Sequence, residues 1–394
     1  MPQQPTGTRI LCDRVVSPDR EDRVGPHVID VDGDRITRVT ARAQAPADPG
    51  RTIVDLSGFT VLPGLIDAHT HLCLDVLLGS EFAQVQTSDS VLALRAASRG
   101  IVNLRAGVTT LRLTSEKNFT DIAVREMFVQ GTFPGPRLLT ACRGLKPTGG
   151  HGVTAVIADG PDEVRRALRE NFLRGADHAK LFLTGGVATA GSDPLRSLYT
   201  QEEVNAAVEI AHNIGKPIGA HAYGGPGVDY CIAAGMDAIE HGVYVTDEQF
   251  ARMAEVGCYL VATLGIFLMQ PGPAENPSWP ADVREKFLRA REAAAESVVR
   301  AKKNGVKVAL GTDAIHGGAA DEIIFAGASG LSNRDAIAGA TTVAASLLRR
   351  ENELGTVRDG AFADLIAVRG DPVKDLRALK QVEFVMASGL PVAA

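Results

Sequence analysis

No two cysteines stand at C-x-x-C spacing. The five thiols, Cys12, Cys73, Cys142, Cys231 and Cys258, are odd in number and far apart. That excludes a zinc knuckle or dithiol redox motif and leaves free, mostly buried thiols. No run of 18 uninterrupted apolar residues occurs, so no helix is expected to span a membrane. The opening MPQQPTGTRILCDRVV has no basic stretch followed by an apolar one, and the cytoplasm is the expected compartment. A long basic run is missing too. With a net charge of -6 and a pI near 5.9, the electrostatic footprint of a nucleic-acid binder is absent. There is no G-x-S-x-G elbow, no G-x-x-x-x-G-K-[ST] phosphate loop and no G-x-G-x-x-G dinucleotide turn, which sets aside three common enzyme schemes.

What is present fits a large globular enzyme. The 394 residues exceed a single simple core, but suit one (β/α)8 barrel with a small satellite. Residues 61–350 alternate short apolar runs with longer amphipathic stretches, the pattern of repeated βα units. Eight strands are predicted at 61–67, 108–113, 137–144, 179–185, 217–222, 238–242, 259–264 and 307–314. Helices are expected at 161–175 and 201–215, the second opening at Thr200 with Glu203 in capping-box spacing. Residues 1–60 and 351–394 read as short extended pieces, with a turn expected at Asp32-Gly33. The chain ends are therefore expected to build a small β-sandwich beside the barrel. Residues 265–285, which follow the seventh strand, are rich in Pro and Gly and read as a lid around Phe267, Met269 and Trp279.

In a (β/α)8 barrel the chemistry lies at the C-terminal ends of the strands. His69 and His71 end the first predicted strand, and their i, i+2 spacing projects both imidazoles from one face. His221 ends the fifth, His241 the sixth and Asp313 the eighth. Alone, each is a weak signal, since a strand histidine is more often a satisfied core or surface group. Together they form a nitrogen and oxygen donor set suited to zinc or a similar divalent ion. Lys180 lies in the fourth strand. An ammonium cannot bind a metal, but a carbamate formed with carbon dioxide would turn it into a bridging carboxylate. His27, His178 and His212 read as solvated surface groups. His316, three residues past Asp313, is placed within reach of the pocket with its role open.

The ordered motifs LPGLIDAHTH, KLFLTGGV, GAHAYGG, AIEHG and GTDA resemble the amidohydrolase superfamily. More narrowly they resemble its imidazolonepropionase-like group, with Xaa-Pro dipeptidases, carboxypeptidases and ochratoxinase-like enzymes. The likeness spans essentially the whole chain, including the closing ELGTVRDGAFADLIAVRGDP. It implies two divalent metals, with His69, His71 and Asp313 holding one, His221 and His241 the other, and carbamylated Lys180 bridging them. It also implies that Tyr223 polarises the scissile carbonyl, that His151 contacts a substrate carboxylate, and that Asp313 shuttles the proton. A small-molecule substrate and a homo-oligomer are expected on the same ground.

The sequence departs from that pattern at Val153, where many relatives carry Asp, in ATAGSDP, and in LVATL where VPTL is common. These departures bear on the substrate rather than the metal site. The leading expectation is cleavage of a peptide-like or N-acyl amino acid amide. Carbamate or urea hydrolysis is an alternative, as is a mononuclear cyclic-amide hydrolase or deaminase. Gly224, where deaminases of the superfamily usually carry glutamate, weighs against a deaminase. A metal-binding barrel without catalysis is the remaining alternative.

Overall fold

The computed structural model describes residues 7–18 and 20–393. Residues 1–6, 19 and 394 of the unit expected from the two chain ends lie outside the described residues. Its strands form one seven-stranded sheet that uses both chain ends. From one edge the order is Leu390–Pro391, Val382–Ala387, Leu365–Val368, Thr52–Pro63, Thr8–Val15, Arg23–Asp32 and Arg35–Ala41. Thr52–Pro63 pairs parallel with Thr8–Val15 and antiparallel with Leu365–Val368, so it is the stave joining the two ends. The sheet covers its own apolar core of Ile10, Ile29, Ile36, Val61 and Leu365. The hairpin turn falls one residue later than expected. Asp32 pairs with Arg35, leaving Gly33 at φ 58° and Asp34 as the central pair; a tight hairpin of this kind favours a residue free to adopt positive φ.

One residue, Gly64, separates that sheet from the next. A Cβ there would lie 2.2 Å from Thr109 Oγ1, so only glycine lets the chain pass. The segment between the two chain ends then contains eight parallel strands, each overlapping a predicted apolar run: Leu65–Thr70, Val108–Leu113, Arg137–Thr140, Ala179–Phe182, Ile218–Gly224, Ala238–Tyr244, Tyr259–Ala262 and Val308–Leu310; residues 61–63 of the first run belong instead to the terminal sheet. They are buried on both faces, which is why they read as continuous apolar runs rather than alternating ones. Helices Gly160–Leu173 and Gln201–Asn213 stand close to their expected spans, and Thr200 and Glu203 form the reciprocal capping box.

The ladder pairing divides these strands into two parallel sheets, with hydrogen bonds crossing both seams. At one seam the expected third strand, 137–144, is broken. Cys142 adopts φ 59°; before it Arg137–Thr140 pairs with the second strand, and after it Leu145 pairs with Leu181 of the fourth. At the other seam, Asp313 N donates to His69 O at 2.8 Å, and Asp67 accepts from the backbone N–H of both His69 and Thr312. The first and eighth strands are therefore fastened beside His69 and Asp313. Among the described residues no helix is long and apolar enough to cross a membrane.

Candidate metal centre

The strand ends bring the predicted ligands to one buried place. Donor atoms of His69, His71 and Asp313 all lie within 4.8 Å of one another. His69 Nε2 is 3.3 Å and His71 Nε2 3.5 Å from Asp313 Oδ1, and His241 Nδ1 is 3.9 Å from Asp313 Oδ2. The His241 ring stands 4.9 Å from that of His69 and 4.7 Å from that of His221. Each imidazole is aimed by its other nitrogen. Nδ1 of His69 pairs with Glu240, Nδ1 of His71 with the Ser115 carbonyl and Nδ1 of His241 with Thr263 Oγ1, each at 2.8 Å. That leaves Nε2 free on His69 and His241, while on His71 it also meets Thr114 Oγ1 at 3.3 Å. His221 reverses the arrangement, with Nε2 3.3 Å from Gly185 O and Nδ1 free. Such outer partners fix tautomer and ring orientation, as metal-binding histidines require.

The backbone is strained where the ligands emerge. His241, Asp313 and Ala314 hold φ of 69°, 49° and 69°, a left-handed conformation costing a non-glycine residue about 1 kcal/mol or more. At His241 this breaks the strand alternation. Glu240 and His241 would otherwise face opposite ways, yet both contact the His69 ring.

Charge in the site is organised around two acids. Burial opposes ionisation of Asp313, but the imidazoles of His69, His241 and His71 hold its carboxyl well below the usual range. Glu240 is likewise buried, and Arg112, Lys180 and His69 keep it ionised. Arg112 Nη1 donates to Glu240 Oε1 at 2.8 Å and to Ala68 O at 3.0 Å. Lys180 is fully buried. Its Nζ has no hydrogen-bond partner, lies 4.0 Å from Glu240 Oε1, and is pushed down to about 8 by burial, with Glu240 opposing that shift. Burial also lowers His71 to about 4 and takes His221 and His241 well below the usual imidazole value.

Above these side chains lies a cavity that opens to solvent. His69, His71, His221, His241 and Asp313 form its floor, and Leu74, Val76, Ile266 and Phe287 its apolar wall. Tyr223 lines it, stacked on His241 at 5.1 Å with an interplanar angle of 9°. Burial, and then the charge of Asp313, drives its phenol well above the ordinary value. His151 lines it too, 4.6 Å from the His221 ring, with Nδ1 2.7 Å from Thr189 Oγ1. Burial takes His151 down to about 3.

His316 does not line the cavity. Its Nε2 pairs with Leu74 O at 2.7 Å, and its Nδ1 accepts from Asn103 Nδ2 at 3.3 Å, so it braces the loop after the first strand. His178, expected at the surface, is instead buried, with Nε2 unpartnered. His27 and His212 are partly exposed and exposed. The segment read as a lid is packed rather than open. Phe267 and Trp279 are buried, Trp279 Nε1 donates to Val76 O at 3.3 Å, and Asn276 Nδ2 donates to Leu77 O at 2.7 Å. The sequence reading gave no role to Arg112 or Glu240. The signal available was a buried-strand arginine and a glutamate inside AIEHG, neither of which can lie in an apolar sheet unpaired.

The model of the amidohydrolase family matches residues 60–392, and the chain belongs to that family. It is thus a hydrolase, in a family that generally uses metal ions and acts on small molecules. Among particular relatives, it is 30% identical over 363 residues to ochratoxinase of Aspergillus niger, covering 82% of this chain and 73% of that protein. It is 29% identical over 365 residues to an uncharacterized protein of Mycobacterium tuberculosis, covering 89% of each. Its structure is similar to that of a Xaa-Pro dipeptidase with methionine bound in the active site, at TM-score 0.88 and 31% identity, over 98% of this chain and 100% of that one. The crystal structure of the A. niger ochratoxinase aligns at TM-score 0.88 and 26% identity, over 98% and 95%.

Proposed function

We propose that this chain is a binuclear metal-dependent amide hydrolase built on a closed (β/α)8 barrel spanning 61–350, with 1–60 and 351–394 as its satellite. The observation that carries the metal reading is Lys180. A buried amine without a partner is costly, and its lowered affinity for a proton favours the neutral form that reacts with carbon dioxide. Carbamylation would replace a stranded cation by an anion in the midst of four imidazoles. The residues fit the group: His69, His71 and Asp313 would hold one divalent ion, His221 and His241 a second, and the Lys180 carbamate both. A nitrogen and oxygen donor set of this kind suits zinc. When bound, such ions acidify water and polarise a carbonyl.

The protein's own groups supply the rest. Asp313, kept ionised by its imidazole neighbours, takes the proton of the attacking water and returns it to the leaving amine. Tyr223 keeps its proton and donates to the carbonyl oxygen as negative charge builds there. His151, on the cavity wall, meets a carboxylate on the substrate. The apolar wall favours a hydrophobic or aromatic substituent. Similarity to an ochratoxinase and a Xaa-Pro dipeptidase supports a peptide-like or N-acyl amino acid amide as substrate.

The test is a screen of dipeptides and N-acyl amino acids with zinc-loaded protein, alongside a metal count. Two ions per chain, a carbamate on Lys180 in a crystal structure, and amide hydrolysis are expected. Full activity in metal-free protein would overturn the reading. One ion with no carbamate would favour the mononuclear alternative, and activity confined to carbamates or ureas would redirect the substrate class.

A further inference from the structure

One carboxylate on the cavity wall is not used by the chemistry above. Glu81 opens the short helix Glu81–Val85 and faces the cavity that Asp313, Tyr223 and the histidines also line. It makes no hydrogen bond or ion pair with any described residue. Its position is nonetheless fixed. The Gln84 side chain staples the loop by donating to Asp75 O at 2.9 Å and Gly79 O at 3.0 Å while accepting from Asp75 N at 2.9 Å. Asn276 and Trp279 fasten the same loop from the opposite side at Leu77 and Val76. Glu81 is thus a held acid with no basic side chain beside it among the described residues. Burial, reinforced by the negative charge of Asp313, pushes it up to about 8, so the unliganded acid keeps its proton at neutral pH and an arriving ammonium displaces it. Among the residues lining the cavity there is no lysine or arginine to relieve it.

Resting on the amide-hydrolase reading, we propose that Glu81 is a specificity-determining residue that receives a cationic nitrogen of the substrate. The preferred substrate then carries a protonated amine near the scissile amide, and an uncharged N-acyl cap is disfavoured. A preorganised acid facing a partly desolvated cavity is a site where a charge-assisted hydrogen bond is worth most. The cation has two sources, a free α-amine or a basic side chain.

The test compares three substrates on zinc-loaded wild type and Glu81→Gln: alanyl-phenylalanine, N-acetyl-alanyl-phenylalanine and N-acetyl-lysyl-phenylalanine. Wild type is expected to favour a cationic substrate over the uncharged one in kcat/KM. Glu81→Gln should lose roughly 10- to 100-fold on the cationic substrate and leave the uncharged one unchanged, the size of a charge-assisted hydrogen bond. Which cationic substrate responds identifies the α-amine or the side chain as the source. In metal-free protein, where no turnover intervenes, calorimetry should find leucinamide binding wild type at least roughly tenfold more tightly than Glu81→Gln. N-acetylleucinamide should not distinguish the two proteins. Wild-type preference for the uncharged substrate, or an equal loss on all three, overturns the role of Glu81 while leaving amide hydrolysis standing. Failure of wild type to cleave any amide overturns the proposed function instead.

Discussion

Replacing Glu240 by glutamine keeps the shape of the side chain and removes one acceptor. In the native protein one carboxylate oxygen takes the Arg112 hydrogen bond and the other faces His69 Nδ1, both at 2.8 Å. Glutamine offers a single carbonyl oxygen. If it serves Arg112, its NH2 group faces His69 and forces the tautomer that carries a proton on Nε2, the nitrogen directed at Asp313. If it serves His69, the buried Arg112 guanidinium faces an amide donor. In either case Arg112 and, in the metal-free protein without the carbamate, Lys180 lose the one carboxylate within 4.0 Å of them among the described residues. Removing the partner of a buried charge costs about 3–5 kcal/mol. Removing the outer partner of a metal ligand costs roughly 10- to 100-fold in metal affinity, or about 1.4–2.7 kcal/mol. Urea unfolding of the metal-free protein measures the first quantity and zinc titration the second. A variant with the wild-type urea midpoint and wild-type zinc affinity would refute the account of how this site is held.

Three further outcomes are expected. Asp313→Asn should retain part of the metal but lose roughly 10²- to 10⁴-fold in kcat, the usual contribution of a general base, with KM little changed; unaltered turnover would exclude it as the proton carrier. Lys180→Ala should lower the metal content, with partial recovery of metal and activity on adding a short carboxylate such as propionate; full metal content without any addition would dismiss the carbamate. Glu116 is buried, close to the charge of Asp121, and held up to about 8, above the roughly 4.3 of an unfolded chain. The native state therefore holds a proton that the unfolded state has released, and this group makes stability fall as pH rises through that window. Glu116→Gln should accordingly gain on wild type between pH 5 and pH 8 in urea unfolding, and parallel curves would refute it.

The candidate metal-holding residues were legible in the sequence because strand ends are where an apolar run stops at polar residues. His69, His71, His221, His241 and Asp313 each stand at such a stop, and their convergence follows from the strands being parallel neighbours. What was not legible depended on departures from regular structure. The third strand breaks at Cys142, which takes a left-handed conformation that no local residue preference announces. Glu240 shares a side with His241 only because His241 itself leaves the strand conformation. His178 looked like a surface group because its neighbours Gly175 and Asp177 read as a loop, yet the start of the fourth strand carries it inside. Glu81 lies in a loop whose shape is set by Gln84 and by segments some 200 residues away, and no periodicity reports on that.

Trp279 and Asn276 each grip a carbonyl of the loop that carries Glu81. The two spans arching over the chamber are consequently yoked, and neither can swing aside without dragging its fellow or surrendering both grips. Displacing one span therefore loads the other, and removing one tie, as in Trp279→Phe, should speed amide hydrogen exchange in both loops together.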